Sequence, residues 1–336
     1  MTYLMGLLKR LLLLFFFFGF GFVGWLGWFA STPIPLAATP LDFSVPAGAS
    51  LRAAAQQLAA SGFGFSPWQF VLLGRLGGKA AEIKAGSYEA AQGITPWQLL
   101  MKLSRGDVTQ SEVVLVEGKT FRQFRAVLDG CADLRHDTTG SSDAEIMARI
   151  GATERAPEGL FFPDTYLFAK QSSDLEVLRR AYRNLHVRLE GEWLARDQGL
   201  PYRSAYEGLI MASIIEKETG QPADRPQVAA VFVNRLRQGM LLQTDPAVIY
   251  GMGERFNGNI RKQDLTTDTP YNTYTRTGLP PTPIAMTGIA SLRAAFHPAA
   301  SQMLYFVARG DGSSKFSRTL EEHNRAVAKY QKGQGG

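Results

Sequence analysis

The chain has 336 residues, of which 45% are hydrophobic and 20% are charged, and its formal net charge is +6. These values exclude an intrinsically disordered protein and leave room for roughly two domains with hydrophobic cores. The single cysteine, Cys131, excludes an intramolecular disulfide and a multi-cysteine metal site. The basic residues are scattered and do not alternate with aromatic residues, so we expect no nucleic-acid partner.

The first predicted element is an uncharged apolar run, residues 11–30, which is long enough for a helix to cross a bilayer. Lys9 and Arg10 precede this run, and the next ionisable residue after it is Asp42. The positive-inside rule therefore predicts that residues 1–10 are cytoplasmic and that the rest of the chain lies outside the inner (cytoplasmic) membrane.

A cleaved signal peptide is the alternative for this run, because small residues follow at Ala37-Ala38. The apolar cores of signal peptides are shorter, about 7–15 residues, so we favour an uncleaved single-pass anchor. Residues 31–41 come next; they contain three prolines and no charge, which predicts a short stiff linker.

Residues 42–110 are predicted to form a small module of strands and helices. Its elements, in order, are a strand at Phe43, helices at 51–62 and 67–76, a strand at 83–89 and a helix that Thr95 caps and that ends near Leu103.

Residues 111–336 are predicted to form a second, mixed domain. Its elements are a strand at 113–116, helices at 120–128 and 143–150, a strand edge or loop at 158–166, helices at 174–197, 204–220 and 224–239, a hairpin at 304–317 and a helix at 320–330. Residues 243–283 form a long polar and aromatic stretch without periodicity, which is typical of a functional loop. The predicted fold class is therefore α+β.

Glu216 is the strongest candidate for chemistry. It lies on the predicted helix 204–220, seven residues after Leu209 and four after Ala212, so it shares the buried face of that helix. Burial disfavours the ionised carboxylate and raises its pKa, which suits a general acid. Glu218, two residues further along, is expected to point away from the buried face.

Structural roles are the alternatives at this helix. Glu216 could lie on the surface or form an ion pair with Arg235 or Arg237. Ser213 and Lys217 have the spacing of a serine–lysine dyad, but a serine among apolar residues usually bonds to its own helix. The four histidines have no metal-binding spacing, and no nucleotide-binding motif is present, so we expect no metal and no cofactor.

The loop at 243–283 supplies candidates for binding a sugar: Gln243, Asp245, Tyr271, Asn272 and Tyr274. Tyrosine rings cover the apolar face of a pyranose, while amide and hydroxyl groups bind its polar substituents. The structural alternative is that the tyrosines pack the loop onto the helix of Glu216 and that Asp245 forms a turn.

Several runs in the same order resemble the YceG-like endolytic murein transglycosylases, the MltG family. The matching runs include EGLF at 158–161, PDTY at 163–166, IIEKET at 214–219, VFVNRL at 231–236, LQTDP at 242–246, YNTY at 271–274 and EEHN at 321–324. The resemblance extends from the anchor to the C-terminus, is densest in the last 125 residues, and implies that residues 42–110 are a LysM-like module.

The resemblance implies that Glu216 is the catalytic acid and that the substrate is the glycan of peptidoglycan. The implied reaction cleaves the bond between N-acetylmuramic acid (MurNAc) and N-acetylglucosamine (GlcNAc) and leaves a 1,6-anhydro end on MurNAc, which terminates nascent strands and suggests glycan-synthesising enzymes as partners. Two alternatives stay open: a hydrolytic muramidase that uses Glu216 with Asp245, and a membrane-anchored scaffold that binds glycan without cutting it.

The chain departs from the family pattern at Thr282, Met286, Thr287 and Lys315. These departures affect the expected shape of the loop and its contacts with the substrate, but they do not affect the acid.

Overall fold

A computed structural model of the protein describes residues 2–46, 48–152 and 156–332. Met1 of the predicted cytoplasmic N-terminus and residues 333–336 of the predicted second domain lie outside the described residues. The chain divides into two units, Met1–Ser111 with Leu167–Ser172, and Glu112–Tyr166 with Ser173–Gly336.

The apolar N-terminal run is part of helix α1, Thr2–Ser31. Its segment Leu13–Ser31 is long and apolar enough to cross a membrane, with a mean hydropathy of 1.9, although a signal sequence has the same properties. Most side chains of this segment are exposed, with Phe15 and Phe17 at 75% and 77%. A helix with an apolar surface on all sides is suited to lipid and not to water.

The small module has the predicted order of elements, and it belongs to the first unit. The elements of the module are β1 (Leu41–Val45), α2 (Leu51–Ala60), α3 (Pro67–Leu76), β2 (Gly86–Ala90) and α4 (Pro96–Arg105). Strand β1 pairs antiparallel with β2. The helices begin where local capping predicts, because Ser50 and Thr95 accept hydrogen bonds from backbone N–H groups of the first turns of α2 and α4.

The hydrophobic core of the module includes the end of α1. Phe29 and Ile34 are 7% and 6% exposed and belong to the same core cluster as the residues of β1 and α2. Trp25 stacks on Trp68 of α3 with the ring centroids 5.4 Å apart. Residues 31–41 therefore do not form a free linker: Ile34 N–H donates to the Ile94 carbonyl at 2.8 Å.

The second unit is mixed α+β, as predicted. The elements that follow α4 are β3 (Gln110–Val114), α5 (Phe121–Asp129), α6 (Asp143–Ile150), β4 (Thr165–Ala169), α7 (Asp174–Ala195), α8 (Ala205–Glu218), α9 (Arg225–Arg237), α10 (Asp245–Met252), α11 (Lys262–Thr266), α12 (Ile289–Phe296), β5 (Tyr305–Ala308), β6 (Ser314–Ser317) and α13 (Leu320–Val327). The first two residues of β3 and the last three of β4 belong to the first unit. Strand β3 pairs with β4, and β5 forms the predicted antiparallel hairpin with β6.

Helix α8 lies at the centre of the second unit, in contact with α7, α9, α10 and α12. Its residues from Gly208 to Ile215 are all buried. The packing against α12 requires Gly208, because a Cβ atom there would lie 2.2 Å from the Phe296 ring. Gly288, at the other end of α12, reaches the C-terminal end of α8, so the two helices run antiparallel.

Three predictions about this unit need correction. Residues 243–283 are not one long loop, because they contain the short helices α10 and α11. Helix α12 was not predicted; its N-cap, Gly288, has no side chain that could signal a helix start. Helix α8 ends at Glu218, since Thr219 is already extended and Gly220 is not needed to stop the helix.

Candidate active site

Glu216 lies in the last turn of α8, and its side chain is only 5% exposed. The N–H group of Gly288 donates a hydrogen bond to Glu216 Oε2 at 3.0 Å. Gly288 is the N-cap of α12, so the carboxyl group faces the positive end of a helix. Glu216 Oε1 lies 3.9 Å from Nη2 of Arg225, which is 9% exposed.

Burial is the main cause that raises the pKa of Glu216 above its ordinary value. The Ser291 hydroxyl, the Gly288 N–H group and Arg225 lower this pKa, whereas the negative charge of Glu117 raises it further. The net direction is upward, so Glu216 holds its proton at higher pH than an exposed glutamate does. This is the property required of a general acid.

Glu117 is a second carboxyl group at this place, and sequence reasoning missed it. A Cβ atom on Gly288 would lie 1.9 Å from Glu117 Oε2 and 3.4 Å from Glu216 Oε2, so both carboxyl groups approach the same glycine. Arg225 Nη2 also lies 4.0 Å from Glu117 Oε1. The segment of Glu117 is held there because Gly118 N–H donates to the Met286 carbonyl at 2.8 Å.

The structural alternative in which Glu216 forms an ion pair with Arg235 or Arg237 is wrong. Arg235 donates to the Leu304 carbonyl at 2.7 Å, and Arg237 donates to the Gly199 carbonyl at 2.9 Å. The cation beside Glu216 is Arg225 instead, at the start of α9. No local pattern in the sequence joins Arg225 to Glu216, because the two residues lie on different helices.

Ser213 and Lys217 do not form a dyad. Ser213 is fully buried and donates to the Ile210 carbonyl at 2.7 Å, which is the bond to its own helix that we expected. Its hydroxyl also accepts the N–H group of Ile284 at 3.0 Å. Lys217 donates to the Gly118 carbonyl at 3.2 Å instead.

Glu218 is half-buried and lies off the fully buried stretch of α8, but its carboxyl group is surrounded by Thr244, Asp245 and Arg235. Burial raises its pKa to about 7, while the neighbouring Thr244 hydroxyl and Arg235 lower it and the charge of Asp245 raises it. Helical periodicity describes one face of α8 only. It does not account for the segment before α10, which covers the opposite face.

Gln243, Asp245 and Tyr274 are brought together next to Glu218. Tyr274 donates its hydroxyl proton to Asp245 Oδ1 at 2.5 Å. Gln243 has a left-handed backbone with φ of 53°, and its side-chain oxygen accepts a hydrogen bond from Arg235 at 3.3 Å. Gln243 and Asp245 are both exposed, so their side chains are accessible to a ligand.

Tyr271 and Asn272 have different environments. The Tyr271 hydroxyl is 2.9 Å from Thr282 Oγ1, and its ring packs edge-on against Tyr250 at 4.9 Å. Asn272 is 1% exposed. Its side-chain NH₂ group donates to backbone carbonyls of residues 264, 265 and 267, so it fixes the conformation of the loop from the buried side.

A cavity of about 630 Å³ opens beside this site. Its lining includes Gly118 and Lys217, the neighbours of Glu117 and Glu216 in the chain, together with Tyr250 and Tyr271. The rest of the lining mixes apolar residues with charged ones, among them Glu158, Arg122 and Glu254, so the cavity suits a polar ligand with apolar faces. Sequence reasoning did not locate this cavity, because its walls come from segments that lie far apart in the chain.

Glu158 is a further carboxyl group that was not predicted, and it lines this cavity. It is 6% exposed and accepts hydrogen bonds from Phe121 N–H at 3.1 Å and from the Tyr250 hydroxyl at 3.2 Å. Burial raises its pKa to about 7. Glu158 therefore fixes the start of α5 and the ring of Tyr250.

Among the described residues, one group could hold a metal ion: Asp129, His136 and Asp174, whose ligand atoms lie within 4.8 Å of one another. Asp174 Oδ2 already accepts the Thr138 N–H group at 3.2 Å, which joins the loop after α5 to the start of α7. Glu216 is not a member of this group. The absence of a catalytic metal and of a cofactor stays a prediction.

The departures from the family pattern surround the site. Thr282 bonds to Tyr271, and the backbone of Met286 pairs with residues 118 and 119. Thr287 is fully buried. Lys315 is exposed on β6. Three of the four therefore lie in the segment that leads to Gly288.

Comparison with known proteins gives one family. Residues 43–329 match the model of the YceG-like family. An endolytic murein transglycosylase of Bacillus subtilis (strain 168) is 31% identical over 319 residues, covering 87% of this chain and 85% of the relative. An endolytic murein transglycosylase of Streptococcus pneumoniae serotype 2 is 27% identical and is covered over 51% of its length.

A solved structure is also similar. The crystal structure of a YceG-like protein from Listeria monocytogenes superposes with a TM-score of 0.52 at 29% sequence identity, covering 85% of this chain and 98% of that chain. The family match over most of the chain, the relative above 30% identity and this structure agree. The chain belongs to the YceG-like family.

Proposed function

We propose that this protein is an endolytic lytic transglycosylase that cleaves the glycan strands of peptidoglycan. The observation that carries the proposal is Glu216: a carboxyl group 5% exposed, with a raised pKa, at the positive end of α12. Relatives with the same family match are named endolytic murein transglycosylases. The buried acid and these names point to the same reaction class.

The reaction that suits this site needs one obligatory acid. Protonated Glu216 donates its proton to the glycosidic oxygen as the bond from MurNAc C1 to that oxygen breaks. The C6 hydroxyl oxygen of the same sugar then bonds to C1, and its proton passes to Glu216, which returns to its starting form. The product has a 1,6-anhydro-MurNAc end, and no water is consumed.

The surroundings of Glu216 support both halves of this cycle. Burial favours the protonated form before the reaction. The Gly288 N–H group and Arg225 stabilise the carboxylate that exists between the two proton transfers. These groups are in place before the substrate binds, as electrostatic preorganisation requires.

For substrate binding we assign the exposed residues Gln243 and Asp245, the half-buried Tyr274 and the cavity residue Tyr271. Aromatic rings and hydroxyl groups in a cavity of about 630 Å³ suit an N-acetylated sugar ring. Asn272 contributes indirectly, because its side-chain amide holds the loop that presents Tyr271 and Tyr274.

A hydrolytic muramidase is the alternative function, and Asp245 is the exposed carboxylate that it would use with Glu216. Hydrolysis needs a second carboxylate that acts as a nucleophile or positions a water molecule. Asp245 is exposed and held by the Tyr274 hydroxyl at 2.5 Å, so its position is defined. In that reaction the new chain end is a reducing sugar instead of an anhydro sugar. A scaffold that binds glycan without cutting it would leave the strands intact.

We assign the N-terminal helix as a single-pass anchor in the inner (cytoplasmic) membrane. Helix α1 is sufficiently long and apolar, and Lys9 and Arg10 lie before its apolar segment, which supports a cytoplasmic N-terminus and a catalytic unit outside. The module at 42–110 is proposed to be LysM-like and to bind glycan. The enzyme would act on nascent strands at the membrane, so we propose glycan-synthesising enzymes as its partners.

The test is digestion of purified glycan strands by the full chain in detergent, with Glu216→Gln and Glu190→Gln in parallel and with products weighed by mass spectrometry. Glu190 is exposed on α7, so its change is a matched control. The proposal predicts muramyl ends one water lighter than reducing ends, absent with Glu216→Gln and present with Glu190→Gln. Reducing ends support the muramidase, and intact strands that stay bound support the scaffold.

A further inference from the structure

The cluster around Gly288 contains one cation and two carboxyl groups. Arg225 Nη2 lies 3.9 Å from Glu216 Oε1 and 4.0 Å from Glu117 Oε1. The side chain of Arg225 is 11% exposed, so its charge is only partly screened by water. One buried cation balances one negative charge. The cluster is therefore most stable when one carboxyl group is ionised and the other keeps a proton.

Exposure decides which carboxyl group is ionised. The Glu117 side chain is 51% exposed, whereas the Glu216 side chain is 5% exposed. Ionisation requires solvation, so the negative charge is favoured on Glu117 and the proton on Glu216. Two like charges against one glycine repel each other, which adds to this preference.

We infer that Glu117 is a positioning residue that keeps the proton on Glu216 in the resting enzyme, with Arg225 as the cation that both carboxyl groups share. The inference rests on the proposed role of Glu216 as the acid. It adds a residue from the segment between β3 and α5 to a site that otherwise lies on α8, α9 and α12. Glu117 acts through Glu216 and not on the substrate.

The other charged and polar groups near Glu216 do not duplicate this role. Lys217 is directed to the Gly118 carbonyl at 3.2 Å, and Ser291 and Gly288 are neutral. Glu218 lies beside Thr244, Asp245 and Arg235, on the other side of the helix end. Glu117 is thus the carboxylate that faces Glu216 among the described residues.

The experiment measures kcat/KM for glycan cleavage against pH with the full chain, comparing the wild-type protein with Glu117→Gln, Glu117→Asp and the control Glu190→Gln. Loss of the Glu117 charge makes Glu216 easier to ionise. We therefore expect the alkaline limb, where activity falls as Glu216 loses its proton, to move to lower pH by about one unit. Glu117→Asp keeps the charge and restores most of the wild-type profile, and Glu190→Gln leaves the profile unchanged.

Gly288→Ala is an independent test that keeps every charge. The new Cβ would lie 1.9 Å from Glu117 Oε2, so the half-exposed Glu117 side chain must move away. The backbone at Gly288 has φ of −72°, which alanine adopts without strain. The alkaline limb should again move to lower pH.

Two results overturn the inference: an unchanged profile in Glu117→Gln, or a loss of kcat/KM by the same factor at every pH. The first means that Glu117 does not influence Glu216, and the second means a purely structural or a direct chemical role. Failure of the proposed function is a different result. It appears as full activity of Glu216→Gln, whatever the profile of the Glu117 variants.

Discussion

The last turn of α8 presents two carboxyl groups, Glu216 and Glu218, to two different surroundings. The Glu216 side, made of Glu117, Glu216, Arg225 and Gly288, combines a buried acid with a half-exposed carboxylate. The Glu218 side contains Glu218 and Arg235 with the residues that cover them, Thr244, Asp245 and Tyr274.

The two arginines show the difference. Arg235 donates to three backbone carbonyls, those of residues 241, 242 and 304, and so joins α9 to the loop before α10 and to β5. Arg225 contacts its two carboxylates at 3.9 and 4.0 Å, and its Nε has no hydrogen-bond partner. A raised pKa is common to both sides. Only on the Glu216 side does the raised pKa occur beside an arginine, Arg225, whose charge faces carboxyl groups and not backbone carbonyls.

Activity should separate the two sides most strongly. We expect Glu216→Gln to lower kcat/KM for glycan cleavage by at least about 100-fold, the contribution typical of a general acid. Glu218→Gln should retain activity within about tenfold, because it leaves Glu216 and its neighbours intact. The measurement is the rate of strand cleavage by both variants at one pH. Equal losses would remove the distinction between the two carboxyl groups.

Stability should depend more on Arg235 than on Arg225. Arg235→Met leaves three backbone carbonyl groups, one buried and two part-buried, without their donor, so we expect the free energy of unfolding to fall by about 3 kcal/mol. Arg225→Met removes no such bonds and should change stability by less than about 1 kcal/mol. Denaturant unfolding followed by circular dichroism tests this. A larger loss for Arg225→Met would contradict the comparison.

Glu218 should also make stability depend on pH. The folded protein holds its proton up to about pH 7, whereas the ordinary pKa of an unfolded glutamate is 4.5. The unfolded state therefore releases that proton first, and the free energy of unfolding falls as pH rises from 4.5 to 7. Glu218→Gln should gain about 2 kcal/mol relative to the wild-type protein between pH 5 and pH 8. Parallel unfolding curves at the two pH values would show that Glu218 does not titrate in this window.

The smallest expected effect is at Tyr274. Tyr274→Phe removes the hydroxyl that holds Asp245, so Asp245 becomes more mobile and KM should rise about threefold. The value of kcat should stay within a factor of two, because Glu216 does not contact Tyr274. Steady-state kinetics separate the two parameters. A fall in kcat with unchanged KM would mean that Asp245 takes part in the chemical step and not in substrate binding.

Local signals allowed much of the fold to be predicted. Helices α3 and α6 have the predicted bounds, 67–76 and 143–150, because capping residues and proline or glycine mark their ends. Helix α12 lacks such marks, and α10 begins after Thr244 without a side-chain cap. These two helices depend on packing against α8, which is not a local property of the sequence.

The site was predictable to the same extent. The burial of Glu216 follows from the period of one helix, and that helix could be recognised. Glu117, Arg225 and Gly288 come from three other segments, and their approach depends on how those segments pack. The neighbours of Glu218 were not predictable for the same reason, since they come from the segment before α10 and from α9.

The shared core of α1 and the small module has a consequence for how this protein folds and for how it can be cut. Phe29 and Ile34 belong to that core, so insertion of the helix into lipid and folding of the module are thermodynamically coupled. A soluble fragment that starts at residue 31 lacks Phe29, and cleavage at Ala37-Ala38 removes Ile34 too. Loss of a buried phenylalanine destabilises a protein by about 3 kcal/mol, a large share of what holds a small module together. If α1 is the anchor that we propose, cleavage after it would therefore destabilise the module as well as detach it from the membrane.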